Sequence, residues 1–244
     1  MKLAGATVLI TGGARRVGRA CAFTLASAGA NILLHYRNSE KDAHQACRQM
    51  EKFSIQAKTF KADLTKLADI RALAHKAWKA FGGIDVLVNS ASFFLRTPIE
   101  TLTEKQWYQL LDTNLKGNFF LAREIGLLMT KRGRGKIINI ADWAGERPYK
   151  NYLPYCISKA GVIAMTKGLA KTFAPLVQVN AISPGPVLLP PTISQKEKKA
   201  ILRGTPLRRF GSPNDIANTV RFLIEGTDFM TGSIVTVDGG RLIA

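Results

Sequence analysis

Little in this 244-residue chain would staple it or anchor it. Its three cysteines, Cys21, Cys47 and Cys156, are odd in number and match neither a disulfide framework nor a metal-ligand spacing. A reduced, cytoplasmic protein with no metal is the expectation. No apolar run approaches the ~18 residues that span a bilayer, so no membrane segment is expected. The apolar stretch Ala4–Thr11 runs straight into Gly12, Gly13, Arg15 and Arg16 and does not read as a secretory leader. Acidic residues are scarce, 17 against 35 lysines and arginines, for a net charge of +18. Such an excess attracts anions without specificity. The basic clusters Lys131–Lys136 and Lys196–Lys199 have no interleaved aromatics, and specific nucleic-acid binding is not expected from them.

What is present is ordinary for a globular protein: 46% hydrophobic and 21% charged residues. Short apolar runs predict strands at Thr7–Ile10, Asn31–Tyr36, Ile55–Lys61, Ile84–Val88, Lys136–Ile140, Val177–Ile182 and Ile234–Val237. Helical spacing predicts helices over Arg19–Ala28, Lys41–Lys52 (with Ser39 as N-cap), Leu67–Ala80, Glu104–Thr130, Tyr155–Phe173 and Asn214–Ile224. The strands are continuous apolar runs rather than alternating ones, which indicates a parallel sheet covered on both faces. No linker or repeat divides the chain. Residues 1–244 therefore read as one α/β domain, a Rossmann-type doubly wound sheet, with 188–206 as a mobile loop beside the substrate. Ligands in such sheets bind beyond the carboxyl ends of the strands.

The first strand ends in Thr11-Gly12-Gly13-Ala14-Arg15-Arg16-Val17-Gly18, directly before a helix. Glycines allow a tight turn and close approach to a pyrophosphate, and the helix N-terminus offers free N–H groups. About 20 residues on, where NAD sites place a carboxylate on the ribose, the chain has Tyr36-Arg37-Asn38-Ser39. Arg37 and Ser39, with Arg15, suit a 2′-phosphate, so NADPH is expected over NADH. Tyr155 and Lys159 lie four apart in a helical stretch and share one face. A lysine lowers the pKa of a nearby phenol, whereas Asp142, 13 residues before Tyr155, raises it; sequence leaves that balance open.

Thr11–Gly18, Asp63, Asn89–Ala91, Asn114, Tyr155–Lys159, Pro184-Gly185 and Val237–Gly240 together resemble the short-chain dehydrogenase/reductase family over essentially the whole chain. The resemblance implies Tyr155 as general acid, Lys159 on the nicotinamide ribose, and Asn114 anchoring a water in the proton relay. It implies that Asp63 and Leu64 border the adenine and that Asn89, Ala91 and Ser92 line the nucleotide groove. Pro184, Gly185 and Val187 would meet the nicotinamide end. A homotetramer is implied as well.

Two departures from the common pattern resemble the pteridine reductase subgroup. Arg16 replaces the middle glycine of TGxxxGxG, and Asp142 replaces the serine that usually assists the tyrosine. Ser92-Phe93-Phe94 is similar to a segment of that subgroup in which the serine and the second-following aromatic hold the pterin. The implied substrate is an oxidised or dihydro-pterin, including dihydrofolate, stacked on Phe94, with Arg16, Ser92, Asp142 and Tyr155 around it. Val187 departs from the serine often found there. A carboxylate at 142 suits the N–H groups of a pterin better than an oxyanion, because like charges repel. The alternatives are an NADPH-dependent carbonyl reductase, such as one acting on a 3-oxoacyl thioester, and a non-catalytic nucleotide-sensing or nucleic-acid-binding protein.

Overall fold

The computed structural model describes residues 1–189 and 193–244. Seven strands follow one another through the chain: β1 (Thr7–Ile10), β2 (Asn31–Tyr36), β3 (Ala57–Lys61), β4 (Val86–Asn89), β5 (Gly135–Ile140), β6 (Val177–Pro184) and β7 (Ile234–Val237). They form one sheet in the order β3-β2-β1-β4-β5-β6-β7, every neighbouring pair parallel. The order reverses between β1 and β4, where Val8 is in register with both Ile32 and Val86. A doubly wound sheet places its ligand crevice at that switch.

Helices α1 (Arg16–Ser27), α2 (Glu40–Met50) and α8 (Pro213–Glu225) cover one face, and α3 (Leu67–Ala80), α5 (Gly117–Arg132) and α6 (Leu153–Phe173) cover the other. Strands β1, β4 and β5 are buried along their whole length, which is why their sequences do not alternate apolar with polar residues; β5 buries Lys136 and Asn139 as well. The Rossmann-type architecture expected from sequence is the one found.

Three local expectations are corrected. The expected helix Glu104–Thr130 is α4 (Glu104–Leu111), a π turn at Asp112–Lys116, and then α5. The segment 188–206 is not an irregular loop: α7 (Gln195–Arg203) starts from a capping box between Ser194 and Glu197. Residues 190–192 of that segment lie outside the described residues. Ser39 occupies the N-cap position of α2 without making a side-chain cap bond. Among the described residues no helix is long and apolar enough to cross a membrane.

Candidate active site

Strand β5 ends at Ile140, and Asp142 follows as the N-cap of a short 3-10 turn, Trp143–Gly145. One carboxylate oxygen of Asp142 accepts the Ala144 N–H at 2.9 Å, and the other accepts the Tyr155 O–H at 2.7 Å. Tyr155 and Lys159, one turn apart on α6, are both buried. The Lys159 Nζ donates to the Ile140 carbonyl at 2.8 Å and stands 5.7 Å from the Tyr155 ring centroid.

Burial dominates the electrostatics of this trio. Desolvation, followed by the Asp142 charge, pushes the Tyr155 phenol well above its ordinary value. Asp142 is also raised by desolvation, despite the Ala144 and Tyr155 hydrogen bonds and the Lys159 charge. Desolvation lowers Lys159 to about 8, with Asp142 opposing the shift. The balance left open by sequence thus goes to the carboxylate. It touches the phenol oxygen, while the ammonium is turned to a backbone carbonyl. Burial thus favours the protonated phenol, and its O–H is held by Asp142.

Asn114 lies inside the π turn and is fully buried. Its Oδ1 accepts the Phe93 N–H at 2.6 Å and the Ser92 O–H at 3.3 Å, and its Nδ2 donates to the Phe93 carbonyl at 2.9 Å and to Ser158 Oγ at 3.1 Å. Its main-chain carbonyl accepts Asn118 Nδ2 at 2.7 Å. The Asn114 side chain is therefore committed to protein partners and clamps the segment after β4. That clamp fixes the next residue, Phe94, which stacks on Tyr152 at 4.6 Å and meets Tyr155 edge-on at 4.8 Å. Phe94 remains 42% exposed, so it forms a wall of the site rather than part of the core.

On the nucleotide side, Gly12 is left-handed (φ +64°), and a Cβ there would stand 3.0 Å from Ala91 Cα. A Cβ on Gly18 would stand 2.5 Å from the Gly12 carbonyl oxygen. The turn thus closes only with glycine at both positions, and it leads into α1, which has no side-chain cap. Open N–H groups and the positive helix end suit a pyrophosphate. Val17 packs partly buried against the core, and Leu64 is buried within the core of the other face.

The expected 2′-phosphate arginines are already paired. Arg15 reaches Asp42 at 2.6 Å, and Arg37 lies 3.7 Å from Asp63, whose other oxygen accepts the N–H and O–H of Thr65. Arg37 and Asn38 are exposed, and Tyr36 is buried beneath them. At the other strand ends, Asn89 Oδ1 and Ser183 Oγ are buried with no partner among the described residues, capacity that a bound ligand would use. Gly185 and Val187, just past Pro184, line a cavity of about 400 Å³ bordered by Leu207, Arg209 and Asp238.

Residues 12–241 match a family model described as enoyl-(acyl carrier protein) reductase. The chain belongs to the short-chain dehydrogenase/reductase family. A 3-oxoacyl-[acyl-carrier-protein] reductase FabG of Staphylococcus epidermidis is 32% identical over 238 residues, covering 96% of this chain and 98% of the relative. Galactitol 2-dehydrogenase of Agrobacterium fabrum is 34% identical over 257 aligned positions, covering 99% of both. Among solved structures, a short-chain alcohol dehydrogenase from Sinorhizobium meliloti superposes with a TM-score of 0.93 at 30% identity, over 99% of this chain and 98% of that one. A 7α-hydroxysteroid dehydrogenase complexed with NADH and 7-oxo glycochenodeoxycholic acid gives 0.93 at 30%, over 98% and 95%.

Within this short-chain dehydrogenase/reductase, Arg16 has φ +54°, the left-handed region that glycine occupies freely. An arginine there carries strain of about 1 kcal/mol. Its guanidinium reaches the Leu188 carbonyl at 2.9 Å, which ties the glycine turn to the chain leaving β6. Sequence reasoning did not single out His35. Its Nδ1 accepts the Gly12 N–H at 3.2 Å and its Nε2 faces the Ala62 carbonyl at 3.1 Å, a pairing that requires the neutral tautomer with hydrogen on Nε2. Nor did it find the buried chain in which Asn89 donates to Asn139 and Asn139 to Thr166. Two of the four basic side chains in the Lys131–Lys136 cluster are structural, while Lys131 and Arg134 are exposed. Lys136 is buried and donates to the carbonyls of Leu223, Ile224 and Thr227, while Arg132 bonds to Ile84 and Asp85. That weakens the nucleic-acid alternative.

Proposed function

We propose that the chain is an NADPH-dependent reductase of an oxidised or dihydro-pterin, dihydrofolate included, acting as one domain. The observation that carries this reading is the 2.7 Å contact between the Asp142 carboxylate and the Tyr155 hydroxyl. A carboxylate beside the proton donor accepts from the N–H groups of a pterin, and it would repel the oxyanion that forms when a ketone is reduced. The exposed Phe94 ring, stacked on Tyr152, suits a flat heterocycle.

The residues fit the cofactor. Gly12, Gly18 and the α1 N–H groups of Arg16 and Val17 hold the pyrophosphate. Arg15, Tyr36, Arg37, Asn38 and Ser39 would hold the 2′-phosphate, and Asp63 and Leu64 would border the adenine. Asn89, Ala91 and Ser92 line the groove, Lys159 holds the nicotinamide ribose, and Pro184, Gly185 and Val187 border the nicotinamide. Bound NADPH supplies a hydride.

Tyr155 supplies the proton. A substrate ring nitrogen takes the place of Asp142 as acceptor of the Tyr155 hydroxyl and then takes its proton, and the phenolate left behind is offset by the Lys159 ammonium. Asp142 then accepts from a substrate N–H, while Arg16 faces the oxo group and Ser92 the ring edge.

A second reading is reduction of a 3-oxoacyl thioester, favoured by the FabG relatives. NADPH oxidation with a dihydropterin and with an acetoacetyl thioester separates the two. Turnover of the pterin alone is expected, and turnover of the thioester alone overturns the pterin assignment.

A further inference from the structure

Helix α7 has no fully buried residue of its own; Lys198, Ile201 and Leu202 are half-buried and the rest of the helix is exposed. Its last turn is held by a side chain from 40 residues further on. Gly239 and Gly240 are both left-handed (φ +68° and +86°), and Asp238 accepts the N–H groups of Gly240 and Leu242 at 2.8 and 2.6 Å. This bend turns Arg241 back toward the site. Its Nη1 donates to the Ile201 carbonyl at 2.9 Å and reaches Thr205 Oγ1 at 3.5 Å, a cation at a helix C-terminus. The same guanidinium lies 4.9 Å over the ring of Trp143, the neighbour of Asp142.

From Trp143 the ring contacts continue without a break. Trp143 lies 5.4 Å from Tyr149, Tyr149 lies 5.4 Å from Tyr152, and Tyr152 stacks on Phe94, which meets Tyr155. A Cβ at Gly204 would stand 2.8 Å from Arg241 Nη1, so the guanidinium fills the space at the end of α7.

We propose that Arg241 is a positioning residue: it fastens α7 to the aromatic wall through Trp143, and thereby sets substrate affinity rather than the rate of proton or hydride transfer. The proposal rests on the reading that the substrate sits against Phe94 and Tyr155. A guanidinium is required because only a planar cation both stacks on the indole and donates in its own plane.

The test compares wild type, Arg241→Ala, Arg241→Lys and Gly204→Val by NADPH oxidation with a dihydropterin, NADPH binding, tryptic cleavage within 196–203 and tryptophan emission. Arg241→Ala should raise substrate KM about tenfold, from loss of one hydrogen bond and one cation–π contact. kcat and NADPH Kd should stay within about twofold, and α7 should be cut several-fold faster. Arg241→Lys should recover only part of the KM, since it restores the bond to Ile201 but not the stacking. Gly204→Val, which crowds the guanidinium from the other side, should reproduce the KM rise. The emission change between wild type and Arg241→Ala should vanish in a Trp143→Phe background.

Unchanged KM with unchanged cleavage overturns the proposal, as does a loss confined to kcat. If wild type reduces no pterin, the functional reading fails. Cleavage and emission still decide whether Arg241 holds α7, and an unchanged result in both overturns that too.

Discussion

Asp142, Tyr155 and Lys159 bring opposite charges together inside the protein, whereas Arg15–Asp42 and Arg37–Asp63 do so at its rim. The two groups behave differently because their surroundings differ. In the interior, desolvation is the first cause of every shift in the trio: it raises the acid and the phenol and lowers the amine. At the rim, side-chain exposures of 64% and 38% for Arg15 and Asp42, and of 47% and 24% for Arg37 and Asp63, leave each pair worth about 0–1 kcal/mol. In the interior, the carboxylate and the phenol are coupled through one shared hydrogen. A rim pair is weak enough to be exchanged for a phosphate, which carries more charge than the carboxylate it replaces.

The comparison is broken most severely by removing the interior hydroxyl. Tyr155→Phe should lower pterin reduction by about a thousandfold, the range of a lost general acid, while NADPH affinity stays within a few fold. Similar turnover in the mutant would take Tyr155 out of the mechanism.

The interior half is sharpened next by His35, which burial holds at about 4 instead of 6.5. As pH falls between those values the unfolded chain takes up a proton that the folded one refuses, so stability present at neutral pH is lost toward acid. The loss should reach ~3 kcal/mol, measured by urea unfolding at pH 7 and near pH 4. If His35→Gln leaves that pH dependence intact, the burial of His35 is not its source.

The rim gives the smallest effect. Arg37→Ala should reduce the preference for NADPH over NADH about tenfold, and added salt should shrink the difference between the two proteins. A constant ratio would place the 2′-phosphate elsewhere.

The parts of the fold legible in sequence are those where burial writes itself into composition. Strands β1, β2 and β7 and helix α3 have the bounds that their apolar runs predict, because polar residues begin where the core ends. Helix α7 was missed for the converse reason. A helix held by a capping box and one arginine has no apolar period to read. The π turn was missed because it shifts backbone hydrogen bonds without altering the side-chain pattern enough to show.

In the site, the Tyr155, Lys159 and Asp142 contacts were foreseeable from spacing and strand ends. The Asn114 clamp on Phe93 and the His35 bond to Gly12 join residues 21 and 23 positions apart across separate elements. A histidine in an apolar strand gives no sign of which backbone it will meet.

The π turn at Asp112–Lys116 carries one residue more than an α-helical turn of the same rise. Losing one of those five residues would leave an ordinary α turn of about the same rise, so α4 and α5 would keep their faces toward the core. The side chains and carbonyls that the wide turn displaces would move, and Asn114 would leave the position from which it holds Phe93. Deleting a single codon here should therefore spare both helices and loosen the segment that carries Phe94.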